Sequence, residues 1–197
     1  FSSLSELRRT LAEAAIPVEF APDNVALARD PVASQLVNTL ALDIEPLEGA
    51  DSLQLLQFAQ SEIVGMTSAQ LRHTAQFLRK EGLFGSTAEV ISMVLRQPYL
   101  LASLPFDPIL LPIRRAAAIL HSLSMISDST TSLAELLWWL WQAKVSSEFA
   151  QKIGYDQDEN WQNWPTRLTQ QSKLASAVGR RADRDLDAVL ALFDAAD

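Results

Sequence analysis

Ser132-Leu133-Ala134-Glu135-Leu136-Leu137-Trp138-Trp139-Leu140-Trp141 is the stretch that decides the fold. Ser132 and Glu135 form a capping box, in which the serine oxygen takes the amide three residues on and the glutamate reaches back. Leu133, Leu136, Leu137, Leu140 and Trp141 then recur at the spacing of one helical face, with Trp138 and Trp139 off it. A helix apolar almost all round is either central in its domain or covered by something outside the chain. The same start signal recurs at Ser86-Thr87-Ala88-Glu89 and at Ser3 with Glu6, the latter ahead of a stripe of Leu4, Leu7 and Leu11.

Outward from that stretch, helical patterns dominate. Asp30-Pro31 gives an N-cap and first helical residue for a helix over 30–42, and further helices are predicted over 51–60, 67–80 and 86–97. Gly65, Gly82 and Gly85 punctuate them, and Gly82-Leu83-Phe84-Gly85 fits a helix-capping turn. Pro98, Pro105 and Pro112 frame the next connection, where Asp107-Pro108 starts a helix running to about 124, with Pro112 tolerable only in its first turn. Residues 154–165 are polar with Trp161 and Trp164 and fit a loop, and a long helical tract with a possible break at Gly179 follows. Ile16-Pro17-Val18-Glu19-Phe20 is the one convincing strand signal, and Pro22, Asp23 and Asn24 break the chain after it. The fold class is therefore mainly α, a multi-helix domain with one short strand near the N-terminus, and with a domain boundary near 22–30. No internal repeat points to a solenoid.

With 197 residues, 48% of them hydrophobic, the chain can bury a core of one large or two small domains. No run of about 18 uncharged apolar residues suggests a membrane partner, and Glu6, Arg8, Arg9 and Glu13 interrupt the first twenty residues where a signal peptide would be apolar. Cysteine is absent, which excludes disulfides and thiolate chemistry and fits a reducing, cytoplasmic setting. A net charge of −8 argues against a broadly basic nucleic-acid binder, so any DNA contact must be local. The chain starts at Phe1 rather than Met and stops just after the apolar stripe Leu186, Val189, Leu190 and Phe193, as a piece of a longer protein would.

Catalytic signatures are missing. His73 and His121 lie too far apart for metal-ligand spacing, and in Asp156, Asp158 and Asn160 the start of a calcium loop is imitated, but Trp161 stands where glycine is needed and Arg167 where the bidentate glutamate should be. No glycine-rich loop precedes a Lys-Ser or Lys-Thr pair, and no serine elbow occurs. No cofactor and no catalytic residue is expected within the chain itself.

Two features stand above this background. Glu62-Ile63-Val64-Gly65-Met66-Thr67-Ser68-Ala69-Gln70-Leu71-Arg72 is an apolar turn with glycine feeding a helix start, followed by His73 and Arg79. Such a turn presents backbone amides and the positive end of the helix dipole, by which an acidic protein can still hold a phosphate. Gly179-Arg180-Arg181-Ala182-Asp183-Arg184-Asp185-Leu186-Asp187 is a charged helix face on which Arg181 can pair with Asp185 and Arg184 with Asp187.

Ser5-Glu6-Leu7-Arg8-Arg9-Thr10-Leu11-Ala12-Glu13-Ala14-Ala15-Ile16-Pro17-Val18-Glu19-Phe20 resembles the place in UvrD/PcrA/Rep-type helicases where the chain leaves motor subdomain 2A. Leu27-Ala28-Arg29-Asp30-Pro31-Val32 resembles the entry into subdomain 2B, and residues 61–79 its glycine-turn-helix. Ala134-Glu135-Leu136-Leu137-Trp138-Trp139-Leu140-Trp141 and Arg181-Ala182-Asp183-Arg184-Asp185-Leu186-Asp187-Ala188-Val189 are similar to actinobacterial members of the AdnAB helicase-nuclease type.

This resemblance implies a 2A remnant over 1–24 and a helical inserted subdomain 2B over 25–197, a part that contacts duplex DNA ahead of the fork and regulates unwinding in repair or recombination. It implies Gly65, Thr67 and Arg72 as phosphate contacts, with His73 and Arg79 beside them, and Trp138, Trp139, Arg180, Arg181 and Arg184 as a partner or interdomain surface. The implied partners are duplex or forked DNA, the motor domains of the same chain and a sister helicase subunit. ATP and Mg²⁺ would belong to the parent chain, because the ATP-binding loop, the acidic metal motif and the arginine finger lie outside these residues. Where the family's turn often has two glycines around an apolar residue, this chain has Ile63 and Val64 before Gly65. The rival class is a helical protein-interaction module, for which Trp138 and Trp139 would be the aromatic contact patch.

Overall fold

The computed structural model describes residues 30–44, 49–127, 132–156 and 161–196. Within them the chain is mainly α, with helices α1 (Pro31–Ile44), α2 (Ser52–Gln60), α3 (Ser68–Lys80), α4 (Thr87–Arg96), α5 (Leu111–Ser127), α6 (Leu133–Trp141), α7 (Ser147–Lys152), α8 (Trp164–Ser172) and α9 (Ala177–Asp194). Two 3₁₀ turns, Pro98–Ser103 and Pro108–Leu110, join α4 to α5. The predicted strand, the helix before it and the boundary near 22–30 fall outside the described residues, Asp30 apart.

Capping chemistry sets the helix starts. Asp30 Oδ1 accepts from the amides of Val32 and Ala33 at 2.8 and 3.2 Å. Ser86 Oγ accepts from the Glu89 amide at 3.3 Å while the Glu89 carboxylate accepts from the Ser86 amide at 2.7 Å. Those bonds from Ser86 hold the Glu89 carboxyl below its ordinary pKa. Asp107 Oδ1 takes the Ile109 amide at 2.8 Å and opens a 3₁₀ turn before α5, so Pro112 lands in the first α-helical turn, where its missing amide costs nothing. The helix extends to Ser127, a few residues past the expected end.

α5 is the axis of the bundle and touches α1, α2, α4, α6 and α7. Every residue from Ile113 to Leu120 is buried, including Arg114 and Arg115. By length and apolarity Pro108–Ser127 would fit a bilayer, yet most of that window is covered by the protein's own helices. α6 lies against α1 and α5 with Leu136, Leu137, Leu140 and Trp141 buried, the face that its periodicity marked.

The tract after 164 is a helical hairpin rather than one helix. The break falls at Lys173 to Ser176, ahead of Gly179, which sits in the first turn of α9. A methyl group at Gly179 would overlap the carbonyl oxygen of Leu174, so the glycine does not interrupt the helix but lets the turn from α8 fold tightly onto it. The short helix α7, capped by Ser146 ahead of the predicted loop, had no expected counterpart.

Candidate functional site

The Gly65 turn joins α2 to α3 and is fixed mostly by its own backbone. The amides of Val64 and Gly65 donate to the Ser61 carbonyl at 3.2 and 2.7 Å, and Met66 donates to Ala59 at 3.0 Å. Ile63, Val64 and Met66 plug into the core. Gly65 sits exposed at φ +78°, a left-handed conformation that a side chain would strain.

α3 then starts with a complete capping box. Gln70 donates its amide to Thr67 Oγ1 at 3.2 Å, and the Thr67 amide donates to Gln70 Oε1 at 2.8 Å. The amides of Gly65 and Thr67, two of the implied phosphate contacts, are therefore used internally, and Ser68 and Ala69 supply the first-turn amides that the helix itself leaves unpaired.

The basic candidates divide. Arg72 and His73 are exposed on α3. Arg79 is committed elsewhere: its Nε donates to Gly85 O at 2.9 Å and its Nη2 to Thr87 Oγ1 at 3.2 Å, tying α3 to the start of α4 across the 82–85 turn.

Residues distant in sequence hold the turn in place. Gln35 of α1 accepts from the Glu62 amide at 2.9 Å. Arg115 of α5 reaches up from the core to donate to Val64 O at 3.2 Å, with its guanidinium 4.5 Å from the ring centre of Trp161. From α8, Arg167 pairs with the Glu62 carboxylate at 3.2 Å and donates to the Glu62 carbonyl oxygen as well. The sequence reading assigned Arg167 only to a failed calcium loop and passed over Arg115. An arginine pair inside the apolar run of α5 was the visible signal for Arg115, whereas the partner of Arg167 lies 105 residues away and leaves no local pattern.

Arg180, Arg181 and Arg184 lie in the first half of α9. Arg181 Nε lies 3.9 Å from Asp185 Oδ2 as predicted, whereas among the described residues no ion pair joins Arg184 to Asp187. Burial raises the Asp185 carboxyl above its ordinary pKa; Arg181 opposes this, Asp30 adds to it, Arg184 opposes it, and Glu62 adds to it. The Glu62 carboxylate is thus felt as a weak like charge at Asp185, in the middle of α9. Arg180, Arg181 and Arg184 stay exposed.

Of the tryptophan candidates, Trp138 lies at the far end of α9. Trp138 is 48% exposed and meets Phe193 edge-on at 6.1 Å, and half-buried Trp139 lies 5.1 Å from the Lys144 ammonium. Arg181 and Phe193 are twelve residues apart, about 18 Å along a helix. Arg181 and Trp138 therefore belong to separate surfaces, not one patch.

No family model matches this sequence, and no curated protein matches it.

Proposed function

We propose that this chain is a helical DNA-contacting domain of the 2B type from a superfamily 1 DNA helicase, steering duplex DNA ahead of the fork while ATP hydrolysis with Mg²⁺ belongs to the motor domains of the parent protein. The carrying observation is the Gly65 turn, a glycine at φ +78° leading into a capped helix that exposes Arg72 and His73. A turn anchored by its own backbone presents the amides of Ser68 and Ala69 and the side chain of Arg72 with little ordering left to do on binding. The net charge of −8 keeps such a contact local and sensitive to salt. The resemblance in sequence order supports the same reading, and a cytoplasmic setting goes with it.

A second reading, a protein-interaction module, draws on exposed Trp138 beside Phe193. Fluorescence anisotropy with a forked duplex, titrated with salt, separates the two. The helicase reading expects binding that weakens steeply with salt, with Arg72→Ala lowering the slope of log K against log salt by about one. Indifference to DNA at low salt would sink that reading in favour of the interaction module.

A further inference from the structure

We propose that Arg167 is a positioning residue for the Gly65 turn, holding it from the α8–α9 hairpin through Glu62; its effect on DNA rests on the duplex-contact reading above. Among the described residues, it is the one side chain of α8 that bonds to the turn, and it does so at two oxygens of one residue, the carboxylate and the main-chain carbonyl. A guanidinium presents paired donors in a fixed fork, so engaging both oxygens fixes the direction of the Glu62 peptide as well as its position.

Glu62 lies three residues ahead of Gly65, inside the hydrogen-bonded turn closed by the Ser61 carbonyl. The fork also lies under the glycine: Arg167 Nη1 is 3.8 Å from where a Cβ on Gly65 would be. Arg167 thus bonds to the turn at its entry and borders the space that a side chain on its left-handed residue would fill. Arg115 and Gln35 hold the same turn from the helices beneath, but both belong to the core bundle. Arg167 belongs to the hairpin, so it makes the path of the turn depend on where the hairpin sits. Any movement of α8 would be passed to the start of α3, and with it to Ser68, Ala69 and Arg72.

The test uses the full 197-residue chain as wild type, Arg167→Gln and Arg167→Lys. Amide hydrogen exchange is followed at Val64 and Gly65, with Ile119 in α5 as the internal reference, and duplex binding is followed by anisotropy over a salt series. The expected result for Arg167→Gln is exchange roughly three- to tenfold faster at Gly65 with Ile119 unchanged, and weaker duplex binding with an unaltered salt slope. Arg167→Lys, which keeps the charge but not the fork, should recover part of both.

Unchanged exchange at Gly65 in Arg167→Gln would overturn the proposal. A salt slope lowered by about one would overturn it too, because Arg167 would then be a phosphate contact itself. If the exchange responds as expected but the wild type binds no duplex, the positioning role stands and the helicase reading fails.

Discussion

Helix α5 and the α8–α9 hairpin are both helical but are held in opposite ways. In α5 every residue from Ile113 to Leu120 is buried, and neighbours on all sides supply the contacts. In α9 only Gly179, Ala182 and Val189 are buried out of eighteen residues, and α8 adds Trp164 and Leu168. The hairpin is attached by a short set of specific contacts. Trp164 lies against Trp141 at 5.1 Å, Asn163 donates to Gln142 O at 3.2 Å, α9 rests on α1, and Arg167 grips Glu62. Burial on all sides makes a helix part of the cooperative unit, whereas a helix pair with one narrow apolar seam can open at lower cost. The hairpin is therefore expected to open at lower cost than α5, and Arg167 joins it to the Gly65 turn.

The largest effect should come from Arg114. Its guanidinium is buried in the core, and its pKa is lowered by that burial. It donates to the carbonyl oxygens of Gly154 at 2.7 Å, Leu101 at 3.1 Å, Leu104 at 3.3 Å and Pro105 at 3.4 Å. Arg114→Ala strips those acceptors of their donor and leaves a void, so urea unfolding should show a loss of about 3 kcal/mol in one cooperative transition. A loss below about 1 kcal/mol would mean that water replaces the side chain and that α5 is less enclosed than its burial implies.

Gly179→Ala should cost less and act locally. The overlap is with a backbone oxygen, which cannot rotate away, so the α8–α9 turn must open at a cost of about 1–3 kcal/mol. Hydrogen exchange should quicken along α8 and α9 and stay slow in α5. Equal acceleration in both would break the comparison, because the hairpin would then unfold only with the bundle.

His121 gives the smallest effect and sharpens the core side. It is half-buried at the edge of α5, stacked on Phe149 at 3.8 Å, and its pKa is lowered from the ordinary 6.5 first by burial and then by the Lys152 charge. A pKa lower in the folded protein means that the unfolded chain takes up the proton first as pH falls. The stability associated with a neutral His121 is thus complete above about pH 6.5 and is lost as pH drops through the folded-state value. Chemical unfolding at pH 7 and pH 5 should show His121→Phe losing less stability on acidification than the wild type. An equal loss in both would assign the acid sensitivity to other groups.

Much of the bundle was legible locally. Asp30-Pro31, the Ser86–Glu89 box and Asp107-Pro108 each complete their interaction within three residues, so the order of the chain displays it. Arg181 with Asp185 is the same kind of local fact. The Gly65 turn was half legible. Glycine before a Thr-x-x-Gln start announces a turn and a cap, but which amides that cap consumes depends on the Gln70 rotamer. Arg79 illustrates the limit, since a basic residue on an amphipathic helix looks available until the 82–85 turn folds back onto it.

The sequence by itself determined that this is a helical protein, where most helices begin, which face of α6 is buried, and that it contains neither cysteine nor a glycine-rich nucleotide-phosphate loop. Only the tertiary structure decided that Arg114 and Arg115 lie inside, that Gly179 serves a close approach and not a break, that Phe193 of α9 meets Trp138, and that Arg167 reaches Glu62. Caps and stripes are set by neighbours three or four residues apart, whereas these contacts join elements up to 105 residues apart and exist only once α5 has gathered the bundle around it.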